Sequence, residues 1–289
     1  MDNNRVLESS SKIREIARSA AKGNWWRLFL GFLIFMGVVF GASLVLGFAG
    51  ASLPFYRYVM IDGFYYMINF GQFIIAPFLW AVVAPLSLGV CTFLIGAFRN
   101  RKIAYGSLFS GFRYFLKAFG LMLLMMVKIL AWSLLLVVPG IIAAIRYSMS
   151  FFVLADHPDW KVTECIEESK RLMNGNKGKF FCLVLSFIGW FLLWYLFIIL
   201  IVIIIVVIWA ASFAAMAYEA MLIVGGLLII AVPIMIISMI PIMTYVYMAV
   251  TAFYELACGN LVVVADAKLE YTDNASYENT DKIHMEDQF

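Results

Sequence analysis

From Phe180 to Met216 the sequence has no charged residue, and from Phe180 to Ala267 it has no lysine or arginine. A folded globule keeps charge over its surface, so this absence excludes a soluble domain for that stretch. Charged residues make up 13% of the 289-residue chain and hydrophobic residues 64%, where soluble proteins carry about 25% charged residues. Runs this long and apolar are written for a lipid solvent. The length leaves room for one membrane domain with short loops and no large soluble domain.

Other absences narrow the chemistry. There are two histidines, His157 and His284. No GxSxG, HExxH, CxxC or paired-carboxylate pattern occurs, so no enzyme and no cofactor are expected. Asp156-His157-Pro158-Asp159 lacks a third metal ligand at useful spacing. Asp156 and Asp159 read as helix-entry residues, Asp159 as an N-cap. Cys91, Cys165, Cys182 and Cys258 form no close pair, and they read as free thiols. The turn Asn174 to Lys179 is basic and glycine-containing but lacks the Walker pattern. About two dozen polar residues precede the first apolar run, which is unlike a cleavable signal peptide.

What is present is a series of apolar runs. The first is predicted over 25–49, anchored by Trp25, Trp26 and Arg27. Gly37 and Gly41 form a GxxxG step, which favours close approach of a neighbouring helix. An aromatic interfacial loop is expected over 50–73, then a second span over 74–98 kinked at Pro77 and Pro85. A third span runs over 120–138, and an apolar piece over 141–155 follows Pro139-Gly140. Either one helix continues with a break there, or the chain turns back. Both flanks are basic, which favours the hairpin. A further span runs over 180–209, a short excursion over 210–223, and a last apolar block over 224–257 with breaks expected at Pro233 and Pro241. The fold class is therefore an all-α polytopic transmembrane bundle of about six spans. The domains are a segment 1–24, a membrane domain 25–257 with loops 99–119 and 156–179, and a polar acidic tail 258–289 without expected structure.

The basic residues sit where topology wants them. Arg14, Arg18 and Lys22 share one face of a predicted leader helix, which suits an anionic membrane surface. Arg99, Arg101, Lys102, Arg113 and Lys117 crowd the first loop, whose aromatic residues predict a segment lying flat on the inner leaflet. Lys177 and Lys179 follow the second loop. That loop holds an amphipathic helix over 159–173 with a stripe of Val162, Cys165, Ile166, Ser169, Leu172 and Met173, and with Glu167 placed to pair with Arg171. Both termini are expected in the cytoplasm, and the protein in the plasma membrane.

The stretch from Gly106 to Leu193 contains GSLFSGFRYFLKAFG, AWSLLLVVPGII, RYSMSFFVLADHPD and ECIEESKRLMNGNKGKFFCLVLSFIGW in that order. It resembles a bacterial membrane family catalogued as domain of unknown function 975. Ala21 to Trp26 and Thr251 to Glu255 resemble that family's ends. The resemblance implies a membrane protein and no established activity. It is distantly similar to the membrane portion found beside some glycerophosphodiester phosphodiesterase domains, which hints at lipid. His157 stands where members carry Asn, and about 198–226 resembles an enlarged inter-helix segment.

Two cations interrupt apolar sequence, Lys128 and Arg146. Within a hairpin both would fall near mid-depth, and an intramembrane charge is a functional candidate by default. As ligand-binding residues they would attract a lipid phosphate or an acidic solute. The structural alternative is that Lys128 snorkels and Arg146 caps carbonyls freed at Pro139-Gly140. The functional expectation is a protein that binds or moves an anionic lipid or small anionic solute, with inner-leaflet anionic lipid as partner. The alternative is a non-catalytic scaffold or accessory subunit with a membrane-protein partner or a second copy. Nucleic acid is not expected, because the positive charge is spread along membrane flanks.

Overall fold

The computed structural model describes residues 5–53, 55–61, 64–99, 104–214, 218–264 and 268–271. Six helical stretches among them are long and apolar enough to cross a membrane. The chain is an integral membrane protein of multi-pass helical architecture. Arg101, Lys102, Asp62, His284 and the last part of the acidic tail lie outside the described residues.

Helix α1 (Ser10–Ala21) opens on Ser9, whose hydroxyl accepts the Lys12 N–H at 3.3 Å. Its apolar residues Ile13, Ile16, Ala17 and Ala21 are buried. They face the protein, since α1 packs mainly on the last long helix. Helices α2 (Trp25–Ser52) and α3 (Gly71–Phe98) lie side by side, with Gly31 against the Phe93 ring. Between them, where a loop was expected, strands β1 (Tyr56–Ile61) and β2 (Phe64–Asn69) pair antiparallel, Tyr56 opposite Asn69. Tyr, Phe, Val and Ile dominate both runs, and such residues favour a pleated ribbon.

A 3-10 helix, Tyr105–Tyr114, follows. It packs lengthwise on α3 instead of lying flat on a surface. A Cβ on Gly89 would collide with the Leu108 carbonyl, and one on Gly111 with the Pro85 carbonyl. Two glycines thus let the backbones touch. Phe109 and Phe112 remain exposed on the other edge.

Helix α4 (Phe115–Leu135) ends one residue before α5 (Val137–Tyr147) begins. The break falls at Leu136, with φ −163° and ψ 151°, and not at Pro139-Gly140. Pro139 sits in the first turn of α5, where its missing N–H costs nothing. The two helices pack on each other as a hairpin. A Cβ on Gly140 would come within 3.0 Å of the Ser133 Cα.

Helices α6 (Ser150–Asp156) and α7 (Val162–Leu172) follow. Cys165, Ile166, Ser169, Leu172 and Met173 are buried as the stripe predicts, and Val162 is partly buried. The N-cap is Lys161 and not Asp159, because the Glu164 carboxylate reaches back to the Lys161 N–H at 2.9 Å. Arg171 pairs with Glu168, at 2.8 and 2.6 Å, in place of the expected Glu167. Helices α8 (Lys177–Leu185), α9 (Ile188–Ala214) and α10 (Tyr218–Cys258) complete the bundle. The breaks expected at Pro233 and Pro241 are absent, and α10 runs through both. With no water to compete, the remaining backbone hydrogen bonds hold such a helix together. Strands β3 (Leu261–Val264) and β4 (Lys268–Tyr271) then form a small antiparallel hairpin in what was read as an unstructured tail.

The packed core lies at one end of the bundle. It joins the second half of α3, from Ala84 to Phe98, to the end of α10, from Met248 to Ala257, with α1, α6 and α7 around them. The apolar remainder of α2, α4 and α9 faces outward.

Candidate functional site

The basic residues divide into ties and free cations. Arg99 was read as a surface cation, and the structure corrects this. Its side chain is 12% exposed and grips two carboxylates. Nη1 and Nη2 donate to both Asp156 oxygens at 2.8 Å, and Nε donates to Glu255 Oε1 at 2.7 Å. Tyr254 donates its hydroxyl to Asp156 at 2.9 Å, and Asn260 donates to Glu255 at 3.0 Å. Burial disfavours the Arg99 charge, but the two carboxylates together outweigh it and hold the guanidinium above its ordinary value. Asp156, expected to open a helix, instead ends α6. The cluster ties α3, α6 and α10 at the packed end.

Two lysines are also ties. Lys117 donates to the Pro158 carbonyl at 2.6 Å. Lys179 donates to the Leu7 and Glu8 carbonyls, which clamps the N-terminal segment to α8. The buried Asn176 accepts the Val6 N–H at 2.9 Å and donates to the Leu172 carbonyl at 2.8 Å. Sequence reasoning missed Asn176 because it lies in a turn that looked merely polar.

Arg18 and Lys22 are exposed on α1. They stand at the rim of a groove of about 750 Å³ between α1, the start of α2, the α8–α9 joint and α10. Its walls are Trp25, Phe187, Trp190, Pro241, Ile242 and Tyr245. Arg18 donates to the Tyr245 hydroxyl at 3.3 Å and lies 5.8 Å from that ring. Tyr245 in turn donates to the Arg14 carbonyl at 3.3 Å. Glu15 also lines the groove, but Lys12 holds its carboxylate at 3.1 Å. The arrangement is an apolar trough with two cations at its lip. Arg113 is exposed at the end of the 3-10 helix, and Lys177 opens α8 half-buried.

Lys128 and Arg146 meet around one residue. The Lys128 ammonium lies 6.0 Å from the Tyr147 ring, a cation–π distance. Arg146 is half-buried, and its Nε is buried with no hydrogen-bond partner among the described residues. Its carbonyl accepts the Ser169 hydroxyl of α7 at 2.9 Å. Neither cation pairs with a carboxylate among the described residues.

His157 stacks on Trp160 at 4.3 Å. Cys165 is buried, and burial, then the neighbouring Glu164 charge, push its thiol up to about 11. It is no nucleophile near neutral pH.

Residues 120–200 match a family model described as a protein of unknown function, DUF975. The match begins within α4 and ends within α9. No curated protein and no solved structure matches the chain.

Proposed function

We propose that this protein is a non-catalytic membrane protein that holds an anionic amphiphile, a phospholipid, in the groove beside α1. The observation that carries the reading is the pairing of an apolar trough with Arg18 and Lys22 at its lip. Acyl chains lie against Trp25, Trp190 and Ile242, and the phosphate meets the two cations. Each basic side chain near an anionic headgroup contributes about 1 kcal/mol. The basic clusters support a reading in which both termini and the α7 side lie in the cytoplasm of a plasma-membrane protein.

Native mass spectrometry tests the reading. The wild type should retain one phosphatidylglycerol that survives a wash with phosphatidylcholine. Arg18→Gln and Lys22→Gln should each weaken retention about fivefold, from the ~1 kcal/mol per cation above. Equal retention of both lipids, unchanged in the variants, would refute it.

A second reading has its own support. Apart from the adjoining backbone of α2 itself, no described atom lies within 4 Å of where a Cβ would sit at Gly37 or Gly41. Among the described residues nothing fills the close-packing step on α2, which suits a scaffold that receives a partner helix. Co-purification of a stoichiometric partner that is lost in Gly37→Leu would favour it.

A further inference from the structure

The α4–α5 hairpin has an unusual tip. From Leu134 to Ile142 there is no polar residue. The tip is bare, with Leu134 80% and Val137 73% exposed. A hairpin that crosses a bilayer puts its turn into water on the far side, and turns in water are polar. This one is as apolar as its arms.

The α5 arm is also short. Helix α7 carries Glu164, Glu167, Glu168, Lys170 and Arg171, so it lies outside the hydrocarbon. Its Ser169 hydroxyl donates to the Arg146 carbonyl at 2.9 Å and accepts the Met149 N–H at 3.2 Å. Arg146 and Tyr147 are therefore at the edge of the membrane. From Tyr147 back to Val137 is one short helix, roughly 15 Å at 1.5 Å per residue. The hydrocarbon core is about 30 Å thick. On the longer α4 arm the first charge met from the tip is Lys128, whose ammonium lies 6.0 Å from the Tyr147 ring and so at the same level as Arg146 and Tyr147.

We propose that the α4–α5 hairpin is re-entrant. It enters the leaflet on the α7 side, ends near the bilayer midplane and returns. Lys128 and Arg146 form a collar at the level of that leaflet's phosphates, which supply the anionic partners that the described residues do not. The surface recognised is one phospholipid monolayer: acyl chains around Leu134 to Ile142, phosphates around the collar. The inference does not depend on the groove beside α1.

Depth measurement tests it. A nitroxide at Val137→Cys, in a chain whose four cysteines are alanine, is compared in vesicles with nitroxides at Trp26, Phe40 and Phe48 along α2. The ratio of oxygen to nickel-chelate relaxation should match Phe40, mid-span. A ratio matching Phe48, at the far end, overturns the proposal. Leu136→Asp in the native-cysteine chain gives a second reading that needs no label. A carboxylate held at the midplane should raise the unfolded fraction about 100-fold relative to Leu136→Ala. Leu136 is 68% exposed, so both variants lose little and similar internal contact. Equal stability of the two variants would place the tip in water and overturn the proposal.

Discussion

Arg99 shows how far one side chain departs from its apparent role. In sequence it belongs to a run of basic residues after an apolar span, and such runs mark the cytoplasmic edge. In the structure it holds Asp156 and Glu255 together, with Glu255 wholly buried. The legible signal was the carboxylates. Asp156 and Glu255 each close an apolar run, and a lone acid in such a place needs a partner. Which cation answers it depends on how three helix ends converge, and local sequence carries no such information. Arg99→Leu leaves two buried carboxylates facing each other and should cost about 3–5 kcal/mol. Glu255→Gln keeps an acceptor for Arg99 and should cost about 1 kcal/mol. Reversible unfolding in mixed micelles measures both. The glycines give a matched contrast. Gly89→Ala forces a methyl into the Leu108 carbonyl and should destabilise by about 1–3 kcal/mol. Gly37→Ala meets nothing and should be neutral or slightly stabilising, by helix propensity.

At the scale of elements, the amphipathic helix α7 was the most readable part. Five of its six predicted stripe residues are buried, because a 3.6-residue period in a charged background has one interpretation. The hairpin was half readable. Flanking charge argued for a turn, and the turn is there. The obvious breaker, Pro139-Gly140, nevertheless lies just inside α5, where a proline starts a helix as readily as it ends one. The β1–β2 ribbon was missed although Asp62-Gly63 between two β-prone runs is a hairpin signal. The apolar context drew attention to spans instead. The N-terminal strap belongs to this scale too. Asn176→Ala removes the acceptor for the Val6 N–H. It should loosen the segment before α1 by about 1–2 kcal/mol, seen as faster tryptic cleavage at Arg5 with the rest of the chain unchanged.

Across the whole molecule, the class was plain from composition, since six stretches suited to lipid leave little else to build. What composition does not encode is which faces meet. The leader helix turns its apolar residues Ile13, Ile16 and Ala17 to a seat made mainly by α10 and leaves Arg18 and Lys22 exposed, a pairing of faces that its own segment does not encode. That docking also forms the groove, so the candidate site was invisible in any single segment. Arg18 and Lys22 were readable as cations. Their apolar counterparts, Trp190 and Ile242, come from far along the chain.

That distance has a consequence for how the protein is made. Arg18 leaves the ribosome well before Tyr245, its partner across 227 residues. Until then α1 lacks its main seat, α10, and has only its smaller contacts with α3 and α8. Docking of α1 therefore reports that synthesis and insertion have reached the last helix. The groove comes into being only at that moment, because Pro241, Ile242 and Tyr245 form one of its walls.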